Sequence, residues 1–190
     1  MMKQFIISAA LLSAVMTVAA QQAPPPAAGQ HHENLSPKAQ AAVTINGKSI
    51  TIDYSSPRVR GREGKIFTKD GLISKDPHYP VWRAGANDAT TLKTPGNIMI
   101  GDLMIPAGTY TLFVDISDPA QWTLVVSKAT GEWGLSYDSS KDLGRVKMKM
   151  AKPAAMVENL TWTIAATYGM NGTITLEWEN VSVSVPLMVH

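Results

Sequence analysis

Along most of the chain, apolar and polar residues alternate with a period of two. Ile50, Ile52 and Tyr54 interleave with Thr51 and Asp53, giving one apolar and one wet face, the mark of a half-buried strand. Residues 42–46 precede this segment, and Asn46-Gly47 between them is a dipeptide that favours a tight hairpin turn. Short strand-like runs resume at 89–93, 97–100, 103–105 and 109–116, divided by Pro-Gly, Gly-Asp and Pro-Ala-Gly turns. They continue at 122–127, 133–137, 145–150, 160–166 and 173–177, with a second hairpin turn expected at Asn171-Gly172. Val181, Val183 and Val185 close the series in strict alternation. Strands spaced by about 8 to 12 residues, without a helix-period segment after residue 40, predict an all-β fold. The expected form is an antiparallel β-sandwich, jelly-roll-like in its path.

Two regions break the pattern. Lys3 followed by the apolar run from Phe5 to Val18 and the small residues Val18-Ala19-Ala20 reads as a Sec-type signal peptide cleaved after Ala20. That run is shorter than the roughly 20 apolar residues needed to span a bilayer. Residues 21–35 open with a Pro/Ala-rich stretch without large apolar residues and read as an extended linker. The expected organisation is therefore 1–20 signal peptide, 21–35 linker and 36–190 a single β-sandwich domain. The second irregular region, 55–88, is rich in Gly, Pro, Arg and Lys; a long connection of this kind within a compact domain is often functional.

Composition narrows the function classes. The chain has no cysteine, which excludes disulfides, zinc-thiolate sites and thiol nucleophiles. An exported domain without cysteine fits a bacterial periplasm or secretion, and about 150 residues suffice to bury close to 70% of the unfolded surface. A net charge of +2 is too small to imply a nucleic-acid partner. Its distribution is uneven, because four of the five arginines lie between residues 58 and 83.

Three segments occur in order: Tyr54-Ser-Ser-Pro-Arg-Val-Arg-Gly-Arg62, Val81-Trp-Arg-Ala-Gly-Ala-Asn-Asp-Ala-Thr90 and Pro106-Ala-Gly-Thr-Tyr-Thr-Leu-Phe113. Trp122, Trp133-Gly134 and Glu177-Trp178-Glu179 follow them. In these motifs the chain resembles the exported bacterial domain-of-unknown-function family 2911, over residues 35–185. The resemblance implies a bacterial, exported β-domain and brings no activity with it. The stretch 69–80 is longer and more polar than the connection expected at that place in the family.

If Arg58, Arg60 and Arg62 lie on an extended strand, their side chains share one face at intervals of about 6.6 Å. Three guanidiniums in a row suit a carboxylate or phosphate held by bidentate forks. The alternative is that each pairs with Asp53, Glu63, Asp88 or the glutamates of the last strands. Trp82, Arg83, Gly85 and Asn87 combine an aromatic face, a cation and tight backbone, the elements of a pocket, or else of a buried anchor and turn. Tyr54 joins them if the loop folds back over the first hairpin. Glu177 and Glu179 fall on one side of their strand with Trp178 opposite, and a solvated outer face is the simpler account of them. His31-His32-Glu33 sits on the linker, where nothing imposes a coordination geometry.

These residues lead to a binding module for an anionic or sugar-like ligand, recognised by Tyr54, Arg58, Arg60, Arg62, Trp82, Arg83 and Asn87, with no cofactor and no metal. The alternatives are an envelope structural or protein-interaction domain, and a hydrolase acting on envelope polysaccharide. No nucleic-acid partner and no stable membrane insertion after cleavage are expected.

Overall fold

A computed structural model describes residues 35–131 and 133–190. The expected signal peptide and nearly all of the expected linker fall outside the described residues. Within them, thirteen strands follow in order: β1 (Lys38–Ile45), β2 (Lys48–Ser55), β3 (Val81–Trp82), β4 (Thr90–Thr94), β5 (Ile98–Ile100), β6 (Leu103–Ile105) and β7 (Gly108–Asp115). After these come β8 (Thr123–Ser127), β9 (Asp142–Lys147), β10 (Lys149–Ala151), β11 (Val157–Ala166), β12 (Asn171–Glu179) and β13 (Val181–Val189).

The strands form two antiparallel sheets. One runs β1-β2-β4-β7-β8-β9, with β3 on β7; the other runs β11-β12-β13-β5-β6, with β10 on β13. Alternation explains how they meet. Ile50, Ile52, Leu92, Leu112, Leu124 and Val126 of the first sheet are buried in one cluster with Ile98, Ile100, Leu176, Val183, Val185 and Leu187 of the second. The fold is thus the all-β sandwich that the period-two pattern predicts, its core built from the two inner faces.

Local departures have local causes. Asn46 (φ 50°) and Gly47 (φ 71°) take the paired positive φ values of a hairpin turn, as their sequence requires. The second expected turn lies earlier than Asn171-Gly172. The chain reverses at Tyr168–Met170, with Gly169 at φ 64°, and Asn171 and Gly172 already pair within β12. Residues 133–137 form no strand; Trp133 makes only an isolated bridge to Asp88. The 145–150 segment is divided between sheets, because β9 pairs with β8 and β10 with β13.

Trp82 and Trp178 stack at 5.9 Å, and Phe67 meets the edges of both at 5.8 and 5.7 Å. This aromatic knot fastens the irregular 55–88 segment to the end of the sandwich. Trp82 is therefore a core residue, 2% exposed.

Candidate functional site

The 55–88 segment does not run as a strand through its arginines. Arg58 bridges to Asn159, after which Arg60 (φ 52°) and Gly61 (φ 68°) turn the chain sharply, and the Arg62 N–H donates to the Val59 carbonyl at 3.1 Å. The expected row of guanidiniums on one extended face is overturned by this turn. The turn nonetheless gathers the three side chains. Arg62 folds back, its Nε donating to the Val59 carbonyl at 2.9 Å and its Nη2 to the Arg58 carbonyl at 2.6 Å.

Arg83 arrives from the other side. It follows β3, which is anchored on β7 by Trp82 opposite Val114. Behind it, the Ala84 carbonyl accepts hydrogen bonds from Trp162 Nε1 at 2.9 Å and from Thr90 Oγ1 at 3.2 Å, which fixes the turn. Arg83 Nη1 donates to the Asn87 carbonyl at 3.4 Å, and Asn87 Nδ2 donates to the Ser36 carbonyl at 3.3 Å. Gly134 packs beneath: a Cβ there would lie 2.3 Å from the Asn87 carbonyl oxygen and 2.9 Å from Arg83 Cδ. Only a residue without a side chain lets the two segments approach this closely.

Arg58, Arg60, Arg62 and Arg83 border one open hollow of about 470 Å³. Trp82 and Trp178 also line it, and Leu72, Ile73, Lys75 and Asp76 form the far wall. That wall is the long 69–80 stretch, held by the Leu72 and Ile73 N–H groups donating to the Lys65 and Ile66 carbonyls at 3.0 and 3.1 Å. The lining thus has five cations and one carboxylate.

Several acids near the segment are bonded to groups other than the guanidiniums of Arg60, Arg62 and Arg83. Asp53 accepts from Lys93 Nζ at 2.8 Å and from Gln40 Nε2 at 2.6 Å. Asp88 pairs with Lys38 at 3.4 Å, and Glu63 accepts from Asn180 Nδ2 at 3.1 Å. Glu158 accepts the backbone N–H of Arg60 at 3.0 Å. Among the described residues, Arg60, Arg62 and Arg83 take part in no ion pair. Burial pulls the Arg83 guanidinium below its usual value, with Asp76 pulling the other way.

Two buried donors of the lining residues, Arg83 Nε and the indole Nε1 of Trp178, have no acceptor among the described residues.

Of the other expected site residues, Tyr54 lies apart. It is 9% exposed and borders a different hollow of about 340 Å³ with Lys38, Asp53 and Asp88. Burial pushes its phenol up. Asn87 does not line the arginine hollow but positions Arg83 and Ser36 beside it. Sequence reasoning missed Lys75, Asp76 and Trp178, which no local motif ties to the arginines. Glu179 corrects the expectation of a solvated outer face. At φ 57° it leaves the strand's alternation, is 5% exposed, and its carboxylate accepts the Gly64 N–H, drawing the 179–180 turn onto the arginine segment.

Compared with known sequences, the family model described as "Protein of unknown function (DUF2911)" matches residues 36–187. No curated protein and no solved structure matches the chain.

Proposed function

The chain belongs to the DUF2911 family, and from that premise we propose that it is a binding module whose arginine-lined hollow takes a small anionic ligand. The observation that carries this reading is the charge census of the hollow: five cations and one acid, with the nearby carboxylates committed to other partners. Arg60, Arg62 and Arg83, which take part in no ion pair among the described residues, repel one another, and an oxyanion with several acceptor oxygens relieves that repulsion while forming charge-assisted hydrogen bonds. The volume is that of a small-ligand site, within the usual range of about 300–1,000 Å³.

The anionic ligand is favoured over a neutral sugar. A neutral sugar brings as many donors as acceptors, while this lining supplies donors almost alone. Stacking faces for a sugar ring are also scarce, since Trp82 and Trp178 are each 2% exposed and lie against each other. Export to a periplasm or the exterior, read from Lys3, the Phe5–Val18 run and Val18-Ala19-Ala20, belongs to the same proposal.

Thermal unfolding with pyrophosphate, citrate, glucuronate and glucose tests it. The polyanions should raise the melting temperature and glucose should leave it unchanged. Stabilisation by glucose alone, or by none of the four, contradicts the proposal.

A further inference from the structure

We propose that the outward face of the second sheet holds a site for a soft monovalent cation, Cu(I), formed by the thioethers of Met99, Met104 and Met188 with the imidazole of His190. The strand register brings the sulfurs together. Met188 on β13 pairs with Met99 on β5, and Met99 pairs in turn with Met104 on β6. Their strand neighbours Ile98, Ile100, Ile105, Leu187 and Val189 are all buried, so the three methionines point away from the core. Met104 and Met188 are 47% and 38% exposed, and Met99 between them is partly exposed.

Adjacent strands stand about 4.7–4.9 Å apart, and each sulfur lies two bonds beyond its Cβ. Three neighbouring thioethers can therefore lean onto one point above Met99. His190 adds a fourth donor. It follows β13 two positions after Met188, on the same face and about 6.8 Å along the strand. Its N–H continues the ladder by donating to the Asn97 carbonyl at 3.2 Å, and its carbonyl accepts from Lys48 Nζ.

The chemistry of the set selects the ion. Thioether sulfur is a soft ligand that suits Cu(I), and imidazole accepts copper as well. Thioethers carry no charge, and imidazole binds metals through its neutral form, so a single positive charge is held at less electrostatic cost than a double one. Hard divalent ions are not served: among the described residues, no group of three His, Cys, Asp or Glu is placed to hold a metal. The nearby Met170 stands outside the set, because its sulfur already accepts from Asn46 Nδ2 at 3.7 Å.

The test is an anaerobic titration of the full chain with Cu(I), competed against the chromophoric chelator bicinchoninate under reductant. The wild-type chain should withdraw one equivalent, and the Met99→Leu/Met104→Leu/Met188→Leu variant should bind at least tenfold more weakly. Leucine keeps the volume of these exposed positions, and circular dichroism checks that the variant folds. With Ag(I) as a redox-inert stand-in, the ε-methyl NMR signals of these three methionines should shift while those of Met148, Met150, Met156 and Met170 stay in place. Failure to withdraw copper, or withdrawal unchanged in the folded triple variant, overturns the proposal. So does withdrawal lost in a His31→Ala/His32→Ala variant, which would place the ion on the linker.

Discussion

Arg145 and Arg83 carry the same guanidinium into opposite surroundings. Arg145 stands on β9, its Nη1 on Asp115 at 2.8 Å, its Nε on Asp142 at 3.1 Å and its Nη2 on the Tyr137 hydroxyl at 2.6 Å. Tyr137 in turn donates to Asp142 at 2.9 Å, which closes the network and pins the 133–141 segment over Phe113. Arg83, Arg60 and Arg62 make no ion pair among the described residues, and the bonds that hold Arg62 and Arg83 end on carbonyl oxygens. A carbonyl orients a guanidinium but leaves its charge uncompensated. The comparison separates two settings of arginine in one domain: a strut paired within the chain, and three arginines that take part in no ion pair among the described residues.

The largest effect that would sharpen this contrast comes from the turn. Replacing Arg60 and Arg62 together by glutamine should weaken pyrophosphate binding by about 2–3 kcal/mol, since each lost charge-assisted bond is worth roughly 1.5 kcal/mol or more. In the same variant the ligand-free protein should lose no more than about 1 kcal/mol in urea unfolding, because the Arg62 bonds to the Val59 and Arg58 carbonyls are lost while like-charge repulsion is relieved. A ligand-free protein clearly destabilised by the change would mean that these arginines are structural. Next in size, Arg145→Met should cost about 1 kcal/mol in urea unfolding, a modest loss because the side chain is 38% exposed and its ion pairs are partly screened. Raising the salt from low to high ionic strength should weaken anion binding several-fold and change the Arg145 contribution by only tenths of a kcal/mol.

The smallest effect appears only in alkali. Burial, and then the neighbouring Asp142 carboxylate, push the Tyr137 phenol up to about 12, with Arg145 opposing them. The folded protein then holds this proton more tightly than the unfolded chain, whose phenol titrates near 10. The stability it contributes is whole below about pH 10 and is lost as pH rises through about 12. Tyr137→Phe should remove that alkaline limb from a plot of unfolding free energy against pH. An unchanged limb would show that the Arg145 network is looser than its geometry.

Much of the sandwich was legible because alternation is a local property of the chain. Ile50, Ile52 and Tyr54 announce a buried face wherever their strand ends up, and Asn46-Gly47 dictates its own turn. The 133–137 segment misled because its residues suit a strand while its partner supplies only one bridge, Asp88 to Trp133. Asn171-Gly172 misled because the chain already reverses before it, around Gly169. At the candidate site, residue type identified the arginines, but the reason they meet was not in their spacing. The turn at Arg60-Gly61 brings them together, and Trp178, over a hundred residues away, supplies part of the floor. Glu179 shows the same limit: its inward turn depends on the Gly64 N–H, which no pattern in β12 reveals.

Calorimetric titration of pyrophosphate into the wild type, Arg83→Met and Arg145→Met addresses the two uses of arginine in a single experiment. Methionine retains most of the arginine stem in either position. The wild type and Arg145→Met should bind alike, while Arg83→Met, still folded, should release no measurable heat. Equal binding by all three proteins, or loss only in Arg145→Met, would contradict the assignment of the unpaired guanidiniums to a ligand.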